Sequence, residues 1–360
     1  MKLLFYIDSM QKGGANRVMA NLTDYFANSG YDVVLVNDIL SGQGEPEYPV
    51  NPMVNRVILD VQGSSKAFSN LKRITKLREL IKAEKPDSVV SFMGPPNIRM
   101  LLASAFLKCR TVVSVRNDPT KEYGTSWIKR LIANVVFLLA DGCVFQTKDA
   151  SLYFNRWVRR KSKVIVNPVN EAFYGVDRSS TPRNIVSVGR FYPQKNHKLL
   201  IDAFAEIADE FPEENLIIYG EGPLRSSMHE QIHSLGLEER VLLPGSVADV
   251  PQKLSEAKIF VLSSDFEGMP NALMEAMAVG VPVISTDCPC GGPNTLIEND
   301  KQGLLVTCGN KEMVSEKLKL VLSNPRLQRE MSDAAKCRAE VFRADRIYTL
   351  WEQYVCRRVE

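Results

Sequence analysis

The sequence predicts an α/β protein made of two doubly wound, parallel-sheet domains, and three observations carry that expectation. Short apolar runs alternate with helical patterns along most of the chain, which is the rhythm of βα units. A length of 360 residues with 45% hydrophobic content exceeds what a single core usually supports. The run VPVIST, residues 281–286, is almost continuously apolar, as expected of a strand covered by helices on both faces.

Taken in order, strand-like runs in the first half fall at 3–7, 32–36, 88–92, 111–115, 142–145 and 163–166. Gly13 and Gly14 follow the first run and precede a helical pattern over 16–29. Glycines there make a tight turn, or let a ligand approach bare backbone. In the second half the runs fall at 185–188, 216–219, 241–243, 259–262, 281–285 and 303–306. The segment 167–182, rich in Pro, Ser and Asn, is the expected connection, which places the domains at 1–167 and 168–341. No short sequence repeat accompanies the repeated rhythm.

The halves differ electrically. Residues 1–165 hold 24 Lys and Arg against 14 Asp and Glu, or +10, so the chain's total of +3 leaves −7 for the remainder. A basic half beside an acidic one predicts that the N-terminal domain meets an anionic partner. Nucleic acid is not expected, because the basic residues form no aromatic-interleaved platform and match no nucleic-acid motif. An anionic membrane surface fits better. Residues 71–85 (LKRITKLRELIKAEK) place cations among Leu and Ile at helical spacing, 127–139 set Lys129 and Arg130 beside a long apolar run, and 156–163 read RWVRRKSK. Such segments can lie on lipid, although an amphipathic helix in an α/β protein also packs on its own sheet. No stretch reaches the roughly 20 apolar residues needed to span a bilayer, and Asp8 interrupts the first apolar run too early for a secretory signal. The expected location is the cytoplasm, peripheral at the inner face of the cytoplasmic membrane. Seven scattered cysteines suit reduced thiols. Cys288 and Cys290 lack the further ligands that a zinc site needs, so no metal is expected.

The candidate site lies in SSDFEGMPNALMEAMAVGVPVISTDCPCGGPNTLIE, residues 263–298. If Gly268, Met269, Pro270 and Asn271 open a helix, as a Pro in the first turn allows, Glu275 lies inside it and Glu267 on the loop before it. Two carboxylates then face one pocket, with the amides of the helix start between them as a phosphate cradle. A sugar nucleotide fits: one acid for sugar hydroxyls, one for ribose, and the helix start for the diphosphate. A pair of solvated surface acids is the plainer alternative, but Glu275 is the lone acid in an apolar helical run. Arg190 and Lys195 follow the run 185–188 and so lie at the carboxyl edge of a parallel sheet, where such folds bind ligands. Two exposed loop cations would look the same in sequence.

These segments together resemble glycosyltransferase family 4, retaining nucleotide-sugar transferases of the GT-B fold. The stretch around Glu267 and Glu275 is similar to the family's donor signature of two Glu separated by seven residues. VGRFYPQKNHKLLIDAF (188–204) resembles the segment supplying an Arg and a Lys to the diphosphate, here Arg190 and Lys195. YGEGPLR (219–225), with Glu221, and LLPGSV (242–247), with Gly245 and Val247, resemble the turns leading to the base pocket. LLFYIDSMQKGGANRVMANL (3–22) resembles the glycine-rich loop that faces the donor from the opposite domain.

The resemblance covers nearly the whole chain. It implies two Rossmann-like domains facing a cleft, with the last helices, about 342–360, crossing back to the first. It implies that Glu267 holds the transferred sugar, Arg190 and Lys195 the diphosphate, and Glu275 the ribose. The leaving group is a nucleoside diphosphate, so the two cations would stabilise charge that grows as the glycosidic bond breaks. No cofactor or metal is then required.

The sequence departs from the family at two places. Asn16 precedes Arg17 where many relatives have an acid, and Arg116, Asn117 and Asp118 stand where many carry a His. The chain's histidines are His197, His229 and His233, so no N-terminal His can serve as a base, and the departing phosphate oxygen can take the acceptor's proton instead. Arg116, Asn117 and Asp118 are acceptor-side candidates, or an Asx-type turn before Pro119.

The expected activity is retaining transfer of a hexose-type sugar from a UDP- or GDP-sugar to a hydroxyl of a growing, lipid-linked surface glycan. A GT-B epimerase, a synthase with a small soluble acceptor and a non-catalytic nucleotide-binding module are the alternatives.

Overall fold

The computed structural model describes residues 1–40, 47–61, 65–178 and 181–357. Residues 179–180 of the expected connection and 358–360 of the expected terminal helix lie outside the described residues. The chain divides into two compact units, Met1–Pro168 with Asp345–Glu360, and Val169–Ala344.

The first unit is built on a seven-stranded sheet: β1 (Lys2–Ile7), β2 (Asp32–Asn37), β3 (Asn55–Ile58), β4 (Ser88–Phe92), β5 (Arg110–Ser114), β6 (Gly142–Phe145) and β7 (Ser162–Val164). All pairings are parallel, in the order β3-β2-β1-β4-β5-β6-β7. Strand β3 was not expected from the sequence. It opens on Asn55 and Arg56 and is only half-buried, and Arg56 donates to Asn37 Oδ1 at 2.8 Å and pairs with Glu47. A short polar edge strand carries no period-two apolar signal to read.

The strand order reverses between β1 and β4. A buried polar cluster fixes this point: Tyr6 donates to Asp38 Oδ1 at 2.6 Å, while Arg99 donates to Tyr6 Oη at 2.8 Å and to Asp38 Oδ2 at 2.6 Å. Burial, followed by the Asp38 charge, pushes the Tyr6 phenol far above its ordinary range, so it stays a neutral donor.

The helix Ala344–Val355 completes this unit, although the intervening 176 residues belong to the other. Its buried stripe, Ile347, Trp351, Tyr354 and Val355, recurs at helical spacing. Trp351 is fully buried against Phe92, with ring centroids 5.5 Å apart. Tyr354 Oη accepts the Cys143 amide of β6 at 2.9 Å, and Ser88 of β4 donates to Val355 O at 2.8 Å. Glu352 accepts from Tyr25 and Tyr31 at 2.9 and 2.7 Å.

The second unit has six parallel strands: β8 (Arg183–Val188), β9 (Leu216–Tyr219), β10 (Val241–Gly245), β11 (Ala257–Leu262), β12 (Val283–Thr286) and β13 (Leu304–Val306), in the order β10-β9-β8-β11-β12-β13. Ile185, Ile218, Ile259 and Ile284 meet Leu200, Phe204 and Leu318 in one core, each such side chain stabilising by about 1.5–3 kcal/mol. Residues 281–286 are buried throughout, as expected, but β12 starts only at Val283. The Val281 amide closes the preceding helix by donating to Ala276 O across Gly280, whose φ is 83°, and Pro282 has no amide to donate.

Trp351→Ala should destabilise the first unit by about 3–5 kcal/mol, the cost of emptying a large buried site. Hydrogen exchange under mild denaturant would show it as faster exchange at β4 and β6 with β8–β12 unchanged. Equal loss in both units would contradict the assignment of this helix.

Candidate functional site

In the second sheet the chain leaves β8 for β9 and β10 on one side, and β11 then begins the other side. The loops after β8 and β11 therefore leave neighbouring strands at the point where the order reverses, the place where open α/β sheets form a binding crevice.

The loop after β8 is shaped by close backbone packing. The Gly189 amide donates to Tyr219 O at 2.9 Å and Phe191 to Glu221 O at 2.8 Å. A Cβ on Gly220 would stand 1.9 Å from Gly189 O, and one on Gly222 2.6 Å from Phe191 O. Only bare backbone fits at either position. A 3-10 turn, Pro193–Lys195, then leads to Asn196, which adopts the left-handed conformation (φ 43°, ψ 46°) and caps the helix His197–Ala205. Asn tolerates that conformation better than most residues.

This loop is stitched to the one after β11. Asp265 donates its amide to Gln194 O at 2.9 Å. Gln194 Nε2 donates to Phe266 O at 2.8 Å, Asn196 Nδ2 to Asp265 Oδ1 at 2.7 Å and Ser263 Oγ to Lys195 O at 2.9 Å. At the centre Lys195 Nζ stands 2.5 Å from Glu267 Oε1, which also accepts from Ser264 Oγ at 2.7 Å. The two side chains are 18% and 8% exposed, a pair largely withdrawn from water yet reachable. The backbone of Glu267 is held by the loop after β12, donating to Pro289 O at 2.8 Å and accepting from Cys290 N at 3.1 Å.

Gly268, Met269 and Pro270 form the buried turn into the helix Asn271–Val279. Pro270 is the residue before the helix rather than within its first turn, and no side chain caps this start. The first-turn amides thus carry the positive end of the helix dipole. Glu275 is 6% exposed within the wholly buried run Leu273–Val279, which excludes the reading of it as a solvated surface acid. Arg190 is exposed on the β8 loop, its guanidinium 5.1 Å from the Tyr192 ring centroid. Glu221 pairs with Arg225 at 2.8 Å, and Arg225 also donates to Leu243 O. Gly245 has φ +94°, and a Cβ there would stand 2.8 Å from Glu221 Oε1. Val247 is half-buried two residues on.

Burial, then the Lys195 charge, lowers the His197 imidazole to about 4. His197 is neutral at working pH, and its ring packs edge-on against Phe191 at 5.6 Å. Burial, then the Glu267 carboxylate, pushes the Cys288 thiol well up, so it is a packing group rather than a nucleophile. Among the described residues no group of three or more His, Cys, Asp or Glu is placed to hold a metal.

The remaining candidates lie in the first unit. Gly13 is extended (φ −171°) just before the helix Gly14–Asn28, and its Cβ position is in ordinary contact, so the fold itself does not demand glycine there. Arg116 is 7% exposed, its guanidinium donating to Asn167 and lying 4.5 Å from the Phe92 ring centroid. Asp118 caps the short helix Pro119–Tyr123, accepting from Thr120 N and Oγ1 at 2.8 Å, and Asn117 Oδ1 accepts from Asp118 N at 2.9 Å. For these two the turn-forming reading is the one the structure displays. Sequence reasoning passed over Glu122, which accepts the Arg116 amide and which burial raises to about 8. It also passed over Gln194 and Ser264, whose adjacency to Lys195 and spacing of three from Glu267 were the only signals.

The model of the family "Glycosyl transferases group 1" matches residues 171–338, and that of "Glycosyltransferase Family 4" matches 12–173. Among curated proteins, the chain is 29% identical to the Campylobacter jejuni GalNAc-alpha-(1->4)-GalNAc-alpha-(1->3)-diNAcBac-PP-undecaprenol alpha-1,4-N-acetyl-D-galactosaminyltransferase, over 98% of this chain and 97% of that one. Among solved structures it resembles sucrose-phosphate synthase from Thermosynechococcus elongatus, with a TM-score of 0.84, 17% identity and coverage of 98% and 97%. It also resembles Anabaena HepE in complex with UDP and glucose, with a TM-score of 0.79, 19% identity and 98% of both chains covered. With one family matched across each unit and two parallel-sheet Rossmann-like units in the structure, the chain belongs to the group 1 glycosyltransferases of GT-B fold.

Proposed function

We propose that this glycosyltransferase moves a hexose-type sugar from a UDP- or GDP-sugar to a hydroxyl of a growing, lipid-linked surface glycan, with retention of anomeric configuration. The observation that carries the reading is the Lys195–Glu267 pair, held at the reversal of the second sheet by the loop that leads into the uncapped helix start at Asn271. A dianionic diphosphate suits a site offering an ammonium group and a positive helix end. In the resting site Glu267 partly neutralises Lys195. A bound diphosphate competes for the ammonium and frees Glu267 to accept hydrogen bonds from sugar hydroxyls.

The bond that breaks joins the anomeric carbon to the β-phosphate oxygen, and the bond that forms joins that carbon to the acceptor oxygen on the same face. The acceptor's proton passes to the departing phosphate oxygen, so no separate base is needed. Lys195, the exposed Arg190 side chain and the helix amides stabilise the diphosphate as its charge grows. Glu275 binds the ribose, and Glu221, Gly245 and Val247 border the base. Of the first-unit candidates, Gly13–Gly14 offer bare backbone to the acceptor and donor sugar, while Arg116, Asn117 and Asp118 act through the turn after β5 that they build. The relative from Campylobacter jejuni is named for a diphospho-undecaprenol-linked acceptor, which supports an acceptor of that class here. The +10 charge of residues 1–165 suits its anionic diphosphate.

With an undecaprenyl-diphosphate-linked saccharide as acceptor, Lys195→Ala and Glu267→Gln should each lower kcat by about 10²–10³-fold, measured by product formation under saturating donor. Wild-type kcat in both would contradict the assigned roles. Glu275→Gln should instead act mainly on donor KM, raising it roughly tenfold, the loss of a hydrogen bond to a charged group. The anomeric proton coupling of the product, read by NMR, should match that of the donor; an inverted product would exclude retention. Isomerised donor formed without acceptor would favour the epimerase alternative.

A further inference from the structure

We propose that the outward face of the helix Trp127–Phe137, with the arginine-rich turn beside it, is a docking surface for an anionic lipid bilayer. The inference rests on the first unit's surface and not on the donor assignment. This helix buries Ala133, Asn134 and Phe137 and turns a second apolar face to solvent. Trp127 is 73% exposed, Val135 56%, Leu131 and Ile132 54%, and Ile128 50%. At 3.6 residues per turn these five fall within an arc of about 140°, opposite the buried side. A helix apolar on two faces meets an apolar medium on both, and an exposed contiguous patch of this kind marks an interaction surface.

Charge decides among occupants. The helix carries Lys129 and Arg130 and no acid. The segment 152–161 borders it: Arg130 donates to Tyr153 O at 2.8 Å, Asn155 N to Asn134 Oδ1 at 2.6 Å and Lys161 Nζ to Leu138 O at 2.8 Å. Along that border Arg156, Arg159 and Arg160 are exposed, and Arg156 and Arg160 lie 4.8 and 4.9 Å from the ring centroid of Trp157, itself 52% exposed. Aliphatic and indole side chains rimmed by arginines match the interface of an anionic bilayer, with acyl chains for the first, the headgroup layer for Trp127 and Trp157, and phosphates for the cations. Of the three basic segments noted in the sequence, 127–139 and 156–163 supply this surface. The helix Lys66–Glu84 exposes only Phe68 and Leu71 among its large apolar residues.

The full chain would be floated with vesicles of phosphatidylcholine alone and of phosphatidylcholine mixed with phosphatidylglycerol, alongside two variants. Ile128→Ser/Leu131→Ser/Ile132→Ser removes apolar contact, and Arg156→Gln/Arg159→Gln/Arg160→Gln removes charge. Both sets of side chains are solvent-facing, and circular dichroism checks that each variant is folded. The expected result is partitioning onto the anionic vesicles that falls roughly tenfold or more in the first variant and roughly fivefold or more per removed cation in the second, with strong salt dependence. Equal binding by both variants and wild type, or equal binding to neutral vesicles, would overturn the proposal. So would absent vesicle binding with a dimer in size-exclusion chromatography that the first variant breaks, because a second copy would then cover the face.

Discussion

Everything proposed for this protein's chemistry depends on one constraint: the loops after β8 and β11 are tied to each other where the second sheet reverses direction. Four hydrogen bonds join residues 194–196 to 263–266 outside the ion pair itself, two of them made by Gln194, whose backbone carbonyl accepts and whose side-chain amide donates. Lys195 and Glu267 are thereby presented to each other with little freedom left to lose on binding. Fixed charges in a partly dry site act more strongly than mobile ones in water. Removing either partner would leave the other poorly compensated, the costly case for a withdrawn pair.

Glycine and proline placement serves the same end. Gly220 and Gly222 let the β9 edge lie against the β8 loop, and Gly292 lets the β12 loop approach Gly268, whose carbonyl oxygen would stand 2.2 Å from a Cβ there. Four adjacent strands, β9, β8, β11 and β12, thus deliver their carboxyl-end loops to one small region. The neutral His197 beneath it adds no second charge to compete with Lys195. The first unit is organised by a comparable but different device: the buried Tyr6–Asp38–Arg99 cluster sits at its own sheet reversal, and a helix returning from the chain's end seals its core with Trp351.

Much of this was legible in the sequence because it is written in local patterns. The parallel strands announce themselves as short apolar runs, and Glu267, Glu275, Arg190 and Lys195 stand in spaced motifs. What was not legible depends on partners distant in sequence. Strand β3 has too few apolar residues to signal itself, since its pairing with β2 and the Arg56–Glu47 bond hold it. The contact of Lys195 with Glu267 spans 72 residues and no periodicity encodes it. Arg116 reads in sequence as an acceptor-side candidate, but its burial against Phe92 and its bond to Asn167 emerge only when β4, β5 and the end of the unit are assembled. The second apolar face of the helix Trp127–Phe137 looks in sequence like core, because exposure is a property of the fold.

In the proposed function the Lys195–Glu267 junction holds a nucleoside diphosphate. Calorimetric titration of the purified protein with UDP and with GDP, repeated on Lys195→Ala, tests it most directly. Micromolar binding of one nucleotide is expected, weakening by about tenfold or more in the variant through the loss of a charge-assisted hydrogen bond. Binding of neither nucleotide, or binding indifferent to the substitution, would contradict it.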